Sequence, residues 1–301
     1  MLALLATLIT IAPKGPDTSL VVSAQWLKAH LADPTVVVIF VDHSSMGGGD
    51  AFEGGHIKGA RQLDYMAVGV ERNNVSLELP APDSIQKMFE ALGVSDNSHV
   101  ILTGAPLVAT RTFFTLDYFG LAHVSILAGG LPAWRAAGGA VETGAMKAVT
   151  RGRLTPHPRP GIVASADDVL HHIGKAGTSF IDTRTEGEYL GTSERHGLQS
   201  EGHVDGARLL EWQTMFTDPN EFTPKDVATL KGMWAERVAP GDTVITYCAI
   251  GYRASGSYFM SRYLGYAARL FDGSYDEWSQ KKMPTVKTVT PPRAATTGGA
   301  R

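Results

Sequence analysis

Runs of apolar residues alternate along the chain with segments whose apolar positions recur at helical spacing. Val37–Val41, Phe180–Ile181 and Val244–Ile245 are short and continuously apolar, as buried strands are. In 254–264 the apolar and aromatic residues recur at helical spacing, which predicts a helix shortly after the last of these strands. Strands that alternate with helices predict an α/β fold with a mostly parallel sheet flanked by helices.

The pattern occurs twice in the same chain. Its recurring landmarks are Gly55–Arg61 and Gly202–Arg208, Asp42 and Asp182, Val100–Thr103 and Val244–Tyr247, and Gly129 with Trp134 and Gly273 with Trp278. The offsets between partners are 147, 140, 144 and 144 residues, in that order. Two copies of a domain-sized unit at a nearly constant offset indicate a duplication, not a solenoid.

We expect five segments from this repeat and its flanks. They are a leader over 1–16, a first domain over 17–147, a linker over 148–161, a second domain over 162–286 and a tail over 287–301. The linker contains Pro156, Pro158 and Pro160, and alternating prolines favour an extended, stiff connection. The tail is rich in Pro, Thr, Gly and Ala, which is typical of disorder.

The leader contains an unbroken run of apolar residues and threonines, Leu2–Ala12. This run is shorter than the ~20 residues that a membrane-spanning helix needs. Its length fits the apolar part of a signal peptide, but no lysine or arginine precedes it and no clear cleavage site follows. We expect no membrane span, and both a cytoplasmic and an exported protein fit the pattern.

The composition is that of a globular protein, because 44% of the 301 residues are hydrophobic, 19% are charged, and the formal net charge is −3. No basic stripe appears, so we expect no nucleic-acid partner. A single cysteine excludes an internal disulfide and a thiolate metal cluster, and it leaves one thiol free to react.

That cysteine, Cys248, lies where a predicted strand ends, and the loop Cys248–Arg253 leads into the predicted helix. Ligands of open α/β sheets bind at this edge. Unpaired N–H groups at a helix start favour an anion, and hence a thiolate over a thiol, and Arg253 would add a full charge. Gly251 permits backbone geometry that strains other residues. A lone cysteine is more often structural, but this setting predicts a nucleophile.

The doubled Gly-His-x-x-Gly-Ala element, the Gly-x4-Trp element and the Cys248–Arg253 loop together resemble the tandem rhodanese family, which comprises thiosulfate and 3-mercaptopyruvate sulfurtransferases. The resemblance covers 17–286. It implies two rhodanese-like domains, an inactive first domain, and a site between them whose nucleophile comes from the second. Gly104 agrees with this, because it stands in the first copy where the second has Cys248.

The resemblance also implies substrate-binding residues. Arg184 resembles the arginine that binds the anionic substrate, and Arg253 supplies a second charge at the end of the loop. Ser44 takes the place of Arg184 in the first copy, which therefore lacks both the thiol and the guanidinium. The residues expected to cradle a persulfide are Ala249, Ile250, Gly251 and Tyr252.

Position 250 bears on the sulfur donor. Two residues after the cysteine, thiosulfate-type members tend to carry Lys and mercaptopyruvate-type members Ser, whereas this chain has Ile250. Arg253 can replace the missing lysine charge, but the loop offers no acid for the proton that mercaptopyruvate cleavage requires. We therefore expect thiosulfate, with 3-mercaptopyruvate as the alternative.

The resulting hypothesis is a sulfurtransferase with a ping-pong cycle. The Cys248 thiolate attacks the outer sulfur of thiosulfate, sulfite leaves, and the persulfide then passes its sulfur to cyanide or another thiophilic acceptor. Arg184 and Arg253 would hold the sulfonate oxygens. We expect small-molecule partners, no metal or organic cofactor, and a monomer.

Two other functions fit parts of the pattern. Phosphatases related to this fold also use a cysteine loop that closes on an arginine, but they need Cys-x5-Arg, whereas Arg253 follows Cys248 after four residues. The shorter loop makes a smaller cradle, which suits one sulfur atom better than a phosphoryl group. A sulfur-relay or redox-sensing module with little turnover of its own is the second alternative, and the sequence separates it poorly from an enzyme.

Several other residues invite a functional interpretation but recur in both copies, although only one copy has the thiol. We expect roles in the fold for His56 and His203, for Asp42 and Asp182, and for Trp134 and Trp278. The glycine-rich segment 47–50 lacks the Lys-Ser/Thr of a P-loop, so we interpret it as a mobile loop.

Overall fold

The computed structural model describes residues 15–44, 52–195, 198–199 and 201–289. Most of the predicted leader, most of the predicted tail and the glycine-rich segment 47–50 lie outside these residues. Within them, no helix is both long enough and apolar enough to cross a membrane.

The first half of the described chain builds one parallel sheet with helices around it. Its helices are α1 (Ala24–His30), α2 (Pro82–Ala91), α3 (Pro106–Phe119) and α4 (Gly130–Ala136). Its strands are β1 (Val21–Val22), β2 (Val36–Asp42), β3 (His56–Ile57), β4 (Arg61–Asp64), β5 (Val70–Arg72), β6 (Val75–Glu78), β7 (His99–Thr103), β8 (His123–Leu127) and β9 (Val141–Glu142). Five of them form the sheet in the order β1-β8-β7-β2-β4, and every pair is parallel.

The second half repeats this arrangement. Its helices are α5 (Ala166–His172), α6 (Glu186–Leu190), α7 (Val227–Ala235), α8 (Ala254–Tyr263) and α9 (Ser274–Gln280). Its strands are β10 (Val163–Ala164), β11 (Thr178–Asp182), β12 (Glu194–Arg195), β13 (Leu198–Gln199), β14 (Arg208–Leu209), β15 (Phe216–Asp218), β16 (Thr223–Pro224), β17 (Thr243–Tyr247) and β18 (Ala268–Phe271). The sheet order β10-β18-β17-β11-β14 matches the first sheet strand for strand, again all parallel.

The predicted α/β fold of two similar units is therefore confirmed. The strands β2 and β17 lie inside their sheets, consist mainly of β-branched and aromatic residues, and are buried almost throughout, as strands covered on both faces are. The predicted helix over 254–264 is α8, which ends one residue earlier because Leu264 is its cap. The segment between β9 and Pro160 contains no helix or strand, although the exact domain bounds stay a prediction.

The two units share one apolar core across their interface. Helix α3 is buried along nearly its whole length and packs against α8 of the second unit. The ring of Phe113 lies 4.7 Å from that of Phe259, and Phe114 lies 5.0 Å from Tyr258, both edge to face. The Tyr258 hydroxyl donates to Asp117 at 2.6 Å. The interface therefore resembles a domain core more than a surface contact.

The residues that recur in both copies occupy matching places in the fold. His56 stacks on Phe52 with a ring distance of 3.7 Å, and His203 stacks on Tyr189 at 3.5 Å; both imidazoles are buried. Each Nδ1 also lies within hydrogen-bond distance of the backbone carbonyl of its stacking partner. These matched contacts support the predicted roles in the fold.

Trp134 and Trp278 are matched in the same way. Both indoles are buried in the core. Each indole N–H donates to a backbone carbonyl six residues further on, Ala140 for Trp134 and Pro284 for Trp278. Asp42 likewise acts as an anchor, since its carboxylate accepts from the amides of Ser44 and Phe52.

Candidate active site

Cys248 follows the last residue of β17 at the carboxyl edge of the second sheet, and its side chain is fully buried. The segment at the start of α9 holds the backbone of Cys248 through hydrogen bonds. The Cys248 amide donates to the Ser274 hydroxyl at 3.2 Å, while its carbonyl accepts from the Tyr275 amide at 2.9 Å. The carbonyl of Ala249 accepts from the Asp276 amide at 2.8 Å. The start of the loop therefore has a fixed position.

The amides that follow Cys248 are not used by the fold. Within the described chain, the N–H groups of Ala249, Ile250, Gly251 and Tyr252 make no hydrogen bond. Arg253 follows them as the N-cap of α8, and a helix start adds a partial positive charge. A run of free donors next to a buried sulfur can stabilise negative charge that develops there.

Gly251 has the backbone conformation that this loop demands. Its φ is +78°, in the left-handed region that favours glycine. A Cβ atom at this position would lie 2.5 Å from the Asp272 carbonyl oxygen and 3.3 Å from Arg111 Nη1. The loop is thus pressed against Asp272 and against an arginine of the first unit.

Arg253 lies at the end of the loop and forms a two-pronged ion pair with Glu188. Its Nη1 and Nη2 donate to the two carboxylate oxygens at 2.8 and 2.6 Å, and both side chains are buried. Burial opposes the charge of Glu188, but the hydrogen bonds from Arg253 outweigh it and lower the pKa of Glu188 to about 2. Glu188 is held in turn by a capping box with Thr185 at the start of α6.

Arg184 is buried with its carboxylate partner two residues away. Its Nε and Nη2 both donate to Asp182, and Nη2 also donates to the Gly202 carbonyl at 2.8 Å. The guanidinium lies 4.2 Å from the Tyr275 ring centre. Burial works against the charge, but Asp182 outweighs it and raises the pKa of Arg184. These contacts all lie within the second unit and the side chain is buried, so contact between Arg184 and substrate stays a prediction.

A cleft of about 630 Å³ lies between the two units. The second unit contributes three residues of the cysteine loop, Ile250, Tyr252 and Arg253, and the first unit contributes much of the opposite wall. The Tyr65 ring lies 5.0 Å from the ring of Tyr252. Burial raises the pKa of Tyr65, the charge of Arg111 opposes this, and the nearby Cys248 adds to the rise. The cleft is therefore bordered by the loop that carries Cys248.

The hairpin β5–β6 closes one side of this cleft and is fastened to the second unit. The amides of Ser76 and Leu79 donate to Asp276 and Asp272 at 2.9 and 2.7 Å. Arg111 Nη1 donates to Asp272 at 2.6 Å, and Nη2 donates to the Leu77 carbonyl. The hairpin, α3 and the cysteine loop therefore meet at one buried ion pair.

The matching edge of the first unit has no thiol. Gly104 directly follows the strand β7 there, and a Cβ atom on it would lie 2.7 Å from the Val41 carbonyl oxygen. Ser44, at the place of Arg184, is exposed. Position 104 therefore cannot accept a larger side chain without a shift of the backbone.

Glu188, Tyr65 and Arg111 are site residues that the sequence did not reveal. Thr185 followed three residues later by Glu188 is a capping-box pattern, which marks a helix start and can be recognised in the sequence. The pairing of Glu188 with Arg253, far along the chain, had no local signal. Tyr65 and Arg111 reach the site from the other unit, so only the domain arrangement brings them there.

The comparison with protein families agrees with this geometry. The rhodanese-like domain model matches the chain twice, at residues 23–137 and 165–281. These two matches contain the two parallel sheets apart from the edge strands at their beginnings, and Cys248 lies in the second.

Curated relatives and a solved structure are similar over most of the chain. The sulfur carrier protein TtuD of Thermus thermophilus is 30% identical, covering 85% of this chain and 92% of its own. The thiosulfate sulfurtransferase of Corynebacterium glutamicum is 25% identical, covering 89% and 90%. The crystal structure of SseA from Escherichia coli, described as a 3-mercaptopyruvate sulfotransferase, superposes with a TM-score of 0.74 at 27% identity, covering 85% and 98%.

Proposed function

Since the chain belongs to the rhodanese-like domain family, we propose that it is a sulfurtransferase that carries sulfane sulfur as a persulfide on Cys248. The observation that carries this proposal is the run of free loop amides from Ala249 to Tyr252 directly after a buried cysteine. They offer hydrogen bonds to the negative charge that a thiolate or a persulfide brings. Relatives named as sulfurtransferases support the reaction class.

We propose thiosulfate as the donor. The Cys248 thiolate attacks the outer sulfur of thiosulfate and forms a new S–S bond. The S–S bond of thiosulfate breaks, and sulfite leaves with the electron pair. Sulfite needs no proton, whereas the enolate formed from 3-mercaptopyruvate does, and Ile250 at the cleft wall offers none. Arg253 also lines the cleft, and its N–H groups that Glu188 does not use can contact the departing sulfonate.

A comparison of donors tests this assignment. We expect a higher kcat/KM for thiosulfate than for 3-mercaptopyruvate, with cyanide as acceptor. Ile250→Ser should shift the ratio toward mercaptopyruvate because it adds a hydroxyl at the cleft wall, and Ile250→Lys should favour thiosulfate further. A wild-type enzyme that prefers mercaptopyruvate would overturn the donor, and equal ratios in all three proteins would show that position 250 does not select it.

A sulfur-carrier role is the second candidate, because the 30% identical relative bears that name. A carrier takes up one sulfur atom but turns over slowly without its partner protein. Steady-state measurement with purified protein and small-molecule acceptors separates the two. Many turnovers per molecule support an enzyme, and a single loading event without turnover supports a carrier.

A further inference from the structure

The cleft beside the cysteine loop is much larger than an inorganic donor or cyanide requires. Its volume of about 630 Å³ lies in the range that drug-sized molecules occupy. Thiosulfate and cyanide have only a few atoms each, so most of this space serves another reactant. In a ping-pong cycle that reactant is the sulfur acceptor.

The cleft walls are chiefly apolar and aromatic. Tyr65, Leu77 and Leu107 come from the first unit, and Trp212 and Tyr252 from the second. Two further lining residues are large hydrophobic side chains left open to solvent, Met66 at 55% and Val70 at 37% exposure. Exposed apolar side chains grouped around a concave site indicate a ligand with an apolar body.

The charges at the cleft disfavour an anionic body. Among the described residues that line it, Arg253 is the only lysine or arginine, and Glu188 compensates its charge. Glu71 lies on the same wall and is exposed. A carboxylate on the acceptor would thus meet a compensated cation and the exposed carboxylate of Glu71.

We propose that the sulfur acceptor is an uncharged, low-molecular-weight thiol with an aromatic or branched apolar body, a substrate class that rests on the proposed persulfide function. Trp212, Leu77 and Tyr65 bind the body of this thiol, and its sulfur faces the cysteine loop. The cleft thus selects the acceptor, while the loop amides stabilise the negative charge that the small donor brings.

The transfer step is balanced without a further reactant. The thiolate of the acceptor attacks the outer sulfur of the Cys248 persulfide and forms a new S–S bond. The S–S bond to Cys248 breaks, its electron pair stays on the Cys248 sulfur, and the acceptor leaves as a persulfide. The acceptor's own thiol proton passes to solvent. The attacked atom stands about 2 Å beyond the cysteine sulfur, and Ile250 and Tyr252, which belong to the same loop as Cys248, line the cleft.

Single-turnover rates with preformed persulfide test size and charge separately. Benzyl mercaptan and 2-mercaptoethanol differ in the apolar body, and benzyl mercaptan and 4-(mercaptomethyl)benzoate differ in one carboxylate. We expect benzyl mercaptan to discharge the enzyme about tenfold faster than either, at equal thiolate concentration. Equal rates for benzyl mercaptan and 2-mercaptoethanol would overturn the proposal. A higher rate for 4-(mercaptomethyl)benzoate than for benzyl mercaptan would overturn the claim that the acceptor is uncharged.

A matched pair of variants locates the effect. Trp212→Ala should slow benzyl mercaptan about tenfold more than it slows cyanide. Trp26→Ala makes the same substitution in α1, outside the residues that line the cleft, and should change neither rate. Equal slowing of both acceptors by Trp212→Ala would overturn the assignment of Trp212 to the acceptor site.

Binding of an unreactive analogue keeps this test separate from the proposed reaction. Benzyl methyl sulfide should bind the resting protein in calorimetry, and Trp212→Ala should weaken that binding about tenfold. If it binds but thiosulfate forms no persulfide, the proposed function fails and the apolar site stands. If persulfide forms but the thioether does not bind, the acceptor class is wrong and the proposed function stands.

Discussion

At the scale of single residues, the charges of the site are tied to buried carboxylates. Arg253 pairs with Glu188, and Arg184 pairs with Asp182. The sequence marked both arginines, because their position relative to the cysteine loop and to the strand end is local information. The sequence could not show how Asp182 and Glu188 stabilise the charges of these arginines. That effect depends on burial and, for Glu188, on contact between segments that are distant along the chain.

Removing the charge of Glu188 should cost stability. In Glu188→Gln the buried Arg253 keeps its charge without a carboxylate, and breaking such a pair costs about 3–5 kcal/mol of unfolding free energy. Denaturant unfolding measures the loss. Glu186→Gln on the same helix is the control, because Glu186 is exposed, and it should change stability little. Equal effects of the two substitutions would contradict the importance of the pair.

The same pair sets a pH dependence. The pKa of Glu188 is lowered from 4.5 to about 2 in the folded protein. Its contribution to stability is therefore complete above pH 4.5 and is lost as the pH falls toward 2. We expect unfolding free energy to drop over this window in the wild type and to drop less in Glu188→Gln. Parallel pH profiles would contradict the lowered pKa.

Gly251 allows a direct test of the loop geometry. Gly251→Ala adds a Cβ atom 2.5 Å from the Asp272 carbonyl oxygen, whereas Gly206, with the same φ of +78°, has nothing within 4 Å of the added atom. Gly206→Ala thus measures the cost of the backbone angle alone, about 1 kcal/mol. Gly251→Ala should cost more and lower sulfur transfer. Equal stability and activity of the two variants would contradict a tightly packed loop.

At the scale of elements, the hairpin β5–β6 supplies part of the first unit's side of the cleft. Its turn residues Asn73 and Asn74 both have positive φ, as in a tight two-residue hairpin turn. The alternating strands and helices of both sheets followed from the apolar pattern. This hairpin did not, because its position depends on Asp272 and Asp276 of the other unit, which no local pattern reports.

Asp272→Asn should loosen the hairpin. The substitution leaves Arg111 buried without its carboxylate, at a cost of about 3–5 kcal/mol. Amide hydrogen exchange should become faster at Leu79, which donates to Asp272. Asp276→Asn is the comparison, since Asp276 accepts from Ser76 but pairs with no arginine among the residues that the structure describes, and it should cost less. A larger effect of Asp276→Asn would contradict the central place of Arg111.

At the scale of the whole molecule, the buried helix α3 joins the two units. The aromatic contacts of Phe113 and Phe114 with α8 belong to a core that runs through both units. We therefore expect one cooperative thermal transition in calorimetry. Phe113→Ala should lower stability by about 3–5 kcal/mol. Two separate transitions in the wild type would contradict a shared core.

The central claim, a persulfide on Cys248, is tested most directly by the intact mass of the protein before and after incubation with thiosulfate. The wild type should gain the mass of one sulfur atom, and cyanide should remove it and form thiocyanate. Cys248→Ser should show neither change, because a serine hydroxyl is a far poorer acceptor of sulfane sulfur. A sulfur adduct in Cys248→Ser, or none in the wild type, would contradict the account.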